Sequence, residues 1–196
     1  HAQFMHESGH SEIAHAPEDM VIFSKPSTSV IGPDDPIVIP SYSNDMNFEP
    51  EVAVIMGRIA KNVPVEKAMD YVLGFTCVND VTLRDLQGLD PMWTRAKGFD
   101  TSCPLGPWIQ TELDWKDAKI SFTLNGEDVP MASGTTANLI HGIPEQIAAI
   151  SSFSTLLPGD VIMTGTPNAS GHLDPGDEPI VHVAGIGSLR NVVVRG

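Results

Sequence analysis

A mainly β domain with a few short helices is the fold class this sequence predicts, on three observations. Glycine (17) and proline (16) are frequent and scattered, as expected where many short strands are joined by turns. Turn signals recur at Gly32-Pro33-Asp34-Asp35-Pro36, Asn125-Gly126, Pro158-Gly159-Asp160 and Pro175-Gly176-Asp177. Apolar, β-prone runs lie between them.

The runs are, in order, Met20–Phe23, Pro36–Ile39, Val52–Met56, Val72–Val78, Ile120–Leu124, Asp160–Met163, Pro179–Val183 and Asn191–Val194. Two helices are expected. The first is Pro64–Tyr71, with Pro64 near its first turn. The second is Pro144–Phe153, with Pro144 at its start and Ile143, Ile147 and Ile150 on one stripe. The sequence shows no repeat, linker or low-complexity tract. Residues 1–20 stand apart: they carry His1, His6, His10 and His15 with few apolar residues, and are expected to form a mobile, lid-like segment ahead of a catalytic domain over residues 21–196. Four histidines without regular ligand spacing are a weak zinc signal.

A chain of 196 residues suffices for one domain with a sizeable core. Its mean hydropathy is near zero, and no apolar stretch approaches the length of a membrane span. The net charge of −14 argues against nucleic acid or an anionic membrane as partner. An anionic substrate would then need a bound cation or a few placed Lys and Arg residues. Cys77 and Cys103 form no Cys-x-x-Cys pair, so buried free thiols and a cytoplasmic location are the expectation.

Three carboxylates carry the strongest chemical signal. Glu49 and Glu51 flank Pro50, and Asp80 closes the run Gly74-Phe75-Thr76-Cys77-Val78-Asn79-Asp80. On a strand, residues two apart face the same side, so the two Glu side chains would project together and repel. A divalent cation removes that conflict. Together with Asp80 they would form a hard, all-oxygen site suited to Mg²⁺ or Mn²⁺. The plain alternative is a solvated face of a strand. Pro50, which cannot donate to a ladder, points to an edge strand or a strand start.

Other residues extend the pattern. If Asp80 to Gln87 is helical, Asp80, Arg84 and Gln87 share a face, aimed at the cation or merely pairing at the surface. Lys97 lies beside aromatic residues in a chain poor in cations, where an ammonium would stabilise developing enolate charge. Thr164-Gly165-Thr166-Pro167 and Gly134-Thr135-Thr136 offer hydroxyls and N–H groups for a substrate carboxylate, and are also ordinary turn composition.

Six segments in this order resemble the fumarylacetoacetate hydrolase superfamily from Phe23 to the C-terminus: Phe23-Ser24-Lys25-Pro26, Glu49-Pro50-Glu51, Asn79-Asp80 through Arg84-Asp85-Leu86-Gln87, Arg95-Ala96-Lys97-Gly98-Phe99-Asp100, Cys103-Pro104-Leu105-Gly106-Pro107, and Pro158 through Pro167. The resemblance implies a mixed β-roll catalytic domain, a homodimer, and a Mg²⁺, Mn²⁺ or Ca²⁺ ion on Glu49, Glu51 and Asp80. It makes Lys97 the matching catalytic lysine and places Lys25, Arg84, Gln87 and Thr166 at the substrate pocket or its support. Family hydrolases often carry an Asn-Tyr-x-x-His-x-x-Glu motif that activates water. Here His1 resembles its histidine, the fourth position is Phe4, and Glu7 would take the glutamate's role through a local insertion.

The implied substrates are acylpyruvates, β-diketo acids and 2-oxo dicarboxylates. The cation would act on the keto group as a Lewis acid, with an enolate stabilised by it and by Lys97. C–C bond hydrolysis is the first choice and needs a base such as His1 with Glu7. Decarboxylation or isomerisation of oxaloacetate-like or unsaturated 2-oxo dicarboxylic acids needs no activated water and is the alternative. A non-catalytic, acidic, Ca²⁺-binding β-module is the reading from another class.

Overall fold

A computed structural model describes residues 20–196. The expected lid-like segment, with His1 and Glu7, therefore lies outside the described residues. The central sheet has five strands in the order Val30–Ile31, Cys103–Gln110, Val72–Asn79, Pro50–Met56, Val161–Met163. The first pairing is parallel and the other three are antiparallel. A second sheet runs Gly134–Thr135, Lys119–Leu124, Pro179–Val183, Gly187–Arg190. A third sheet joins Gly171–Leu173, Met46–Phe48 and Thr82–Leu83, and Val192–Arg195 pairs in parallel with Pro36–Ile39. The mainly β expectation holds.

Alternation along the strands sorts the core. Val52, Val54, Met56, Phe75, Cys77 and Ile162 point into the main cluster with Phe48, Phe122 and Ile147. Ala53, Val78 and Cys103 form a smaller cluster with Leu105 and Met163 packed against it. Glu51 is two residues before Ala53 and so shares that second side. Phe122 is 1% exposed and stacks on Phe48 with ring centroids 4.0 Å apart. Phe122→Ala is expected to cost about 3–5 kcal/mol, read as a lowered urea midpoint with an unchanged m-value.

Most expected strands appear within a residue or two of their expected ends. Asn125 and Gly126, with φ of 55° and 83°, close the hairpin between Lys119–Leu124 and Glu127–Asp128, the doubly left-handed geometry that favours Asn-Gly. The second helix spans Ile143–Phe153 with Ile143 and Ile147 buried. The first is a 3₁₀ helix, Val65–Tyr71, with Pro64 as its N-cap. Residues 20–23 form no strand. Asp80, Arg84 and Gln87 do not share one helix: Thr82–Leu83 is a short strand pairing with Met46–Phe48, and only Arg84–Gln87 is helical. Pro50 begins an interior strand, not an edge one, pairing with Asn79 on one side of the sheet. At the first position its missing N–H disturbs the ladder least. Among the described residues no helix is long and apolar enough to cross a membrane. Both cysteines are buried and unpaired.

Candidate metal centre and its cavity

Strand register brings the three acids together. Pro50 lies opposite Asn79, which sets Glu49 beside Asp80. Two bonds lock the junction: Asp80 N–H donates to Glu49 O, and Glu49 N–H donates to Asn79 Oδ1, both at 2.9 Å. Each acid offers an oxygen within 4.8 Å of the others, and all three are buried. Metal–oxygen bonds of about 2.0–2.6 Å let one ion touch oxygens that far apart.

The cations around them are unevenly shared. Lys97 Nζ lies 2.7 Å from both Glu49 Oε2 and Asp80 Oδ2. Arg84 Nη2 lies 2.8 Å from Glu49 Oε1, and Lys25 Nζ lies 2.8 Å from Asp80 Oδ1. Glu51 has no such partner among the described residues; its Oε2 accepts only the Gly165 N–H, at 2.8 Å. Burial pushes the Glu51 carboxyl well above the usual range, and the neighbouring charges of Asp80 and Glu49 push it further. Burial also opposes Asp80 ionisation, but the Lys25 and Lys97 ammonium groups outweigh it and hold that carboxyl below its ordinary value. Lys97 is the mirror case: burial disfavours its charge, and Asp80 and Glu49 raise it regardless.

These directions define a pH test on protein kept in chelator. In the folded chain Glu51 holds its proton above the ordinary 4.5, so its ionisation penalises the fold as pH rises from there through the raised value. Asp80 acts oppositely. Its contribution is present above 3.8 and is lost on acidification through its lowered value. Glu51→Gln is therefore expected to remove part of the stability loss seen above pH 4.5, and melting temperatures of both proteins across pH 4–8 check this.

Local structure explains the placement of each side chain. Lys97 ends the short helix Thr94–Lys97, entered from Trp93 in the left-handed region (φ 56°). Gly98 follows because a Cβ there would meet Thr94 O at 2.8 Å and Pro26 at 3.0 Å. That close approach seats Lys25, whose ammonium also donates to Ser102 O at 2.9 Å and to Lys97 O. Gly165 adopts φ of 98°, a glycine conformation, where its N–H meets Glu51.

A cavity of about 170 Å³ opens beside the acids, lined by Glu49, Glu51, Asp80, Lys97, Gln87 and Thr166 among others. Phe23 and Trp93, edge-to-face at 5.6 Å, form part of its apolar wall. The Lys97 ammonium lies 5.2 Å from the Phe23 ring centre. A second cavity of about 950 Å³ shares Ile22, Phe23, Trp93 and Met163 with it.

Of the residues expected at the site, Glu49, Glu51, Asp80, Lys97, Gln87 and Thr166 line this cavity. Lys25 and Arg84 are placed as supports, gripping Asp80 and Glu49. Arg84 also donates to Gln87 Oε1 and Ser170 Oγ. The Thr166 hydroxyl donates to Pro50 O at 2.9 Å, and the Thr164 hydroxyl to Val52 O at 2.9 Å, so both hydroxyls tie the loop to strand Pro50–Met56, while the Gly165 N–H holds Glu51. Thr136 is spent on Trp115 O and the Ala118 N–H. Gln146 and His141, both on the cavity wall, had no sequence signal, because one polar residue on an apolar helix and one histidine in a loop carry none.

The Fumarylacetoacetate (FAA) hydrolase C-terminal family model matches residues 1–194, and the chain belongs to that family. Its fold is that of the solved 5-carboxymethyl-2-hydroxymuconate delta-isomerase from Mycobacterium smegmatis: TM-score 0.89 at 46% identity, covering 93% of this chain and 72% of that one. Fumarylpyruvate hydrolase from Pseudomonas aeruginosa, solved with Mn²⁺ and pyruvate, matches with TM-score 0.85 at 29% identity over 94% of this chain and 84% of that one. The human mitochondrial oxaloacetate tautomerase FAHD2A is 38% identical over 190 residues, 91% of this chain. The chain spans 60% of that protein's length.

Proposed function

We propose that this chain is a divalent-cation-dependent enzyme of 2-oxo acids that moves a proton at the carbon next to the keto group, as a tautomerase or isomerase. One observation carries the reading: Glu51 is a buried carboxylate in a cluster of three, with no cation partner among the described residues, facing a cavity. A group so placed is costly unless paired, and an all-oxygen donor set suits Mg²⁺, Mn²⁺ or Ca²⁺. Glu49, Glu51 and Asp80 would hold the ion, which supplies Lewis acidity toward a 2-oxo carboxylate. Lys97 spends two of its three ammonium protons on Glu49 and Asp80, leaving one N–H for the oxygen where enolate charge develops. Arg84 and Lys25 fix the outward oxygens of Glu49 and Asp80, so the acids cannot turn away. Phe23 and Trp93 exclude water from the Lys97 side, which strengthens these charge interactions.

The relatives' names support proton transfer, since the isomerase and tautomerase are 46% and 38% identical and the hydrolase 29%. Hydrolysis of a C–C bond in an acylpyruvate is the second reading, favoured by that hydrolase holding Mn²⁺ and pyruvate. His1 and Glu7, the residues proposed to activate water for it, lie outside the described residues. A cavity beside the acids speaks for an enzyme over a Ca²⁺-binding module. The same reading proposes a homodimer in a reducing, cytoplasmic setting, with light scattering as the check on the dimer.

The test is a panel of oxaloacetate, acylpyruvates and unsaturated 2-oxo dicarboxylates, assayed with Mg²⁺ and with chelator. Isomer, pyruvate and CO₂ are quantified separately. Cation-dependent isomer formation is the expected result. Pyruvate release from an acylpyruvate moves the assignment to hydrolysis, and full turnover in excess chelator contradicts both.

A further inference from the structure

His141 lines the cavity from the loop that precedes helix Ile143–Phe153. Its backbone is pinned. Gln146 Nε2 donates to His141 O and to Thr164 O, both at 2.9 Å, and the next residue, Gly165, holds Glu51. The His141 backbone is thus tied to Glu51 through Gln146, Thr164 and Gly165. Neither ring nitrogen has a hydrogen-bond partner among the described residues, and Nε2 is closed off from solvent as well.

The other polar side chains on this wall have at least one protein partner each. Thr164 and Thr166 donate to strand carbonyls. Asn138 accepts from the Thr135 N–H, and Gln87 from Arg84. Leu139, Ile140, Ile150 and Met163 complete an apolar surround. Nε2, closed to solvent, is closed to a ligand as well; Nδ1, unpartnered and not closed off, is the ring nitrogen that a molecule in the cavity can meet.

We propose that His141 is a specificity residue that reads the end of the substrate remote from Glu49, Glu51 and Asp80, donating its Nδ1–H to a carboxylate or carbonyl oxygen there. This rests on the 2-oxo acid reading above and narrows it to acids with a polar far end. A site built around a hydrogen-bond donor discriminates strongly against an analogue that lacks the acceptor, because the donor then stays unpaired.

Calorimetric binding in Mg²⁺ tests this with two pairs of 2-oxo acids that differ only at the far end: 2-oxoadipate against 2-oxohexanoate, and 2-oxoglutarate against 2-oxopentanoate. For at least one pair the wild-type protein is expected to prefer the dicarboxylate by about tenfold or more. His141→Phe should remove that preference while still binding the alkyl acid. His141→Gln, which keeps an N–H donor, should retain part of it, and serves if the Phe variant does not fold. An equal preference in wild type and His141→Phe, or no preference in wild type, overturns the assignment while the 2-oxo acid reading stands. If none of the four acids binds wild type, the 2-oxo acid reading fails and the assignment falls with it.

Discussion

Asp80→Asn is expected to abolish the Mg²⁺-induced rise in melting temperature and to lower kcat/KM on the order of 10³-fold, the effect of losing several kcal/mol of Lewis-acid stabilisation. The variant also unbalances the cluster. Lys97 Nζ and Lys25 Nζ both lean on Asp80, at 2.7 and 2.8 Å, and both ammonium groups are nearly inaccessible. Removing one charge from a buried pair costs about 3 kcal/mol or more, so chelated Asp80→Asn should unfold at lower denaturant than chelated wild type. Glu51→Gln is the control. It should lose the Mg²⁺ response as completely without that penalty, because Glu51 has no cation to orphan among the described residues. Asp80→Asn that still binds Mg²⁺ with wild-type affinity would remove this residue from the site.

Lys97→Ala should lower kcat by about 10²–10³-fold, the range seen when one donor to a developing oxyanion is removed, with the ion still bound. Stability without the ion should fall as well. Without the Lys97 ammonium, Glu49 keeps Arg84 and Asp80 keeps Lys25, but three buried carboxylates then face two cations. The chelated variant should melt lower than wild type, and Mg²⁺ should raise its melting temperature by more than it raises wild type's, since the ion takes over part of the lost charge. An unchanged kcat, or a smaller Mg²⁺ shift than wild type's, contradicts the role given to Lys97.

Much of this was legible in the sequence where one local rule decided the outcome. Alternation and flanking turns marked strands such as Pro36–Ile39 and Pro179–Val183, and Asn125-Gly126 marked its hairpin. The acids were legible because like charges two residues apart on a strand need a cation. Strand Cys103–Gln110 was not. Pro104, Gly106 and Pro107 break the β-prone run there, and the pairing with Val72–Asn79 takes a register shift between Phe75 and Cys77. Nor was the division between lining and supporting residues. Lys25 and Arg84 lie 55 and 35 positions from the acids they hold, and that reach is set by long-range packing. His141 sits in a loop and Gln146 is one polar residue on a helix, and neither position carries a periodic signal.

The account rests on Glu49, Glu51 and Asp80 sharing one divalent ion. Anomalous diffraction from crystals grown with Mn²⁺ tests this most directly. One strong peak is expected beside the cavity, about 2.0–2.6 Å from an oxygen of each of the three residues, and it should vanish in Glu51→Gln crystals. A peak elsewhere, or Glu49 and Asp80 bridged only by Lys97 with no ion at saturating Mn²⁺, would contradict it.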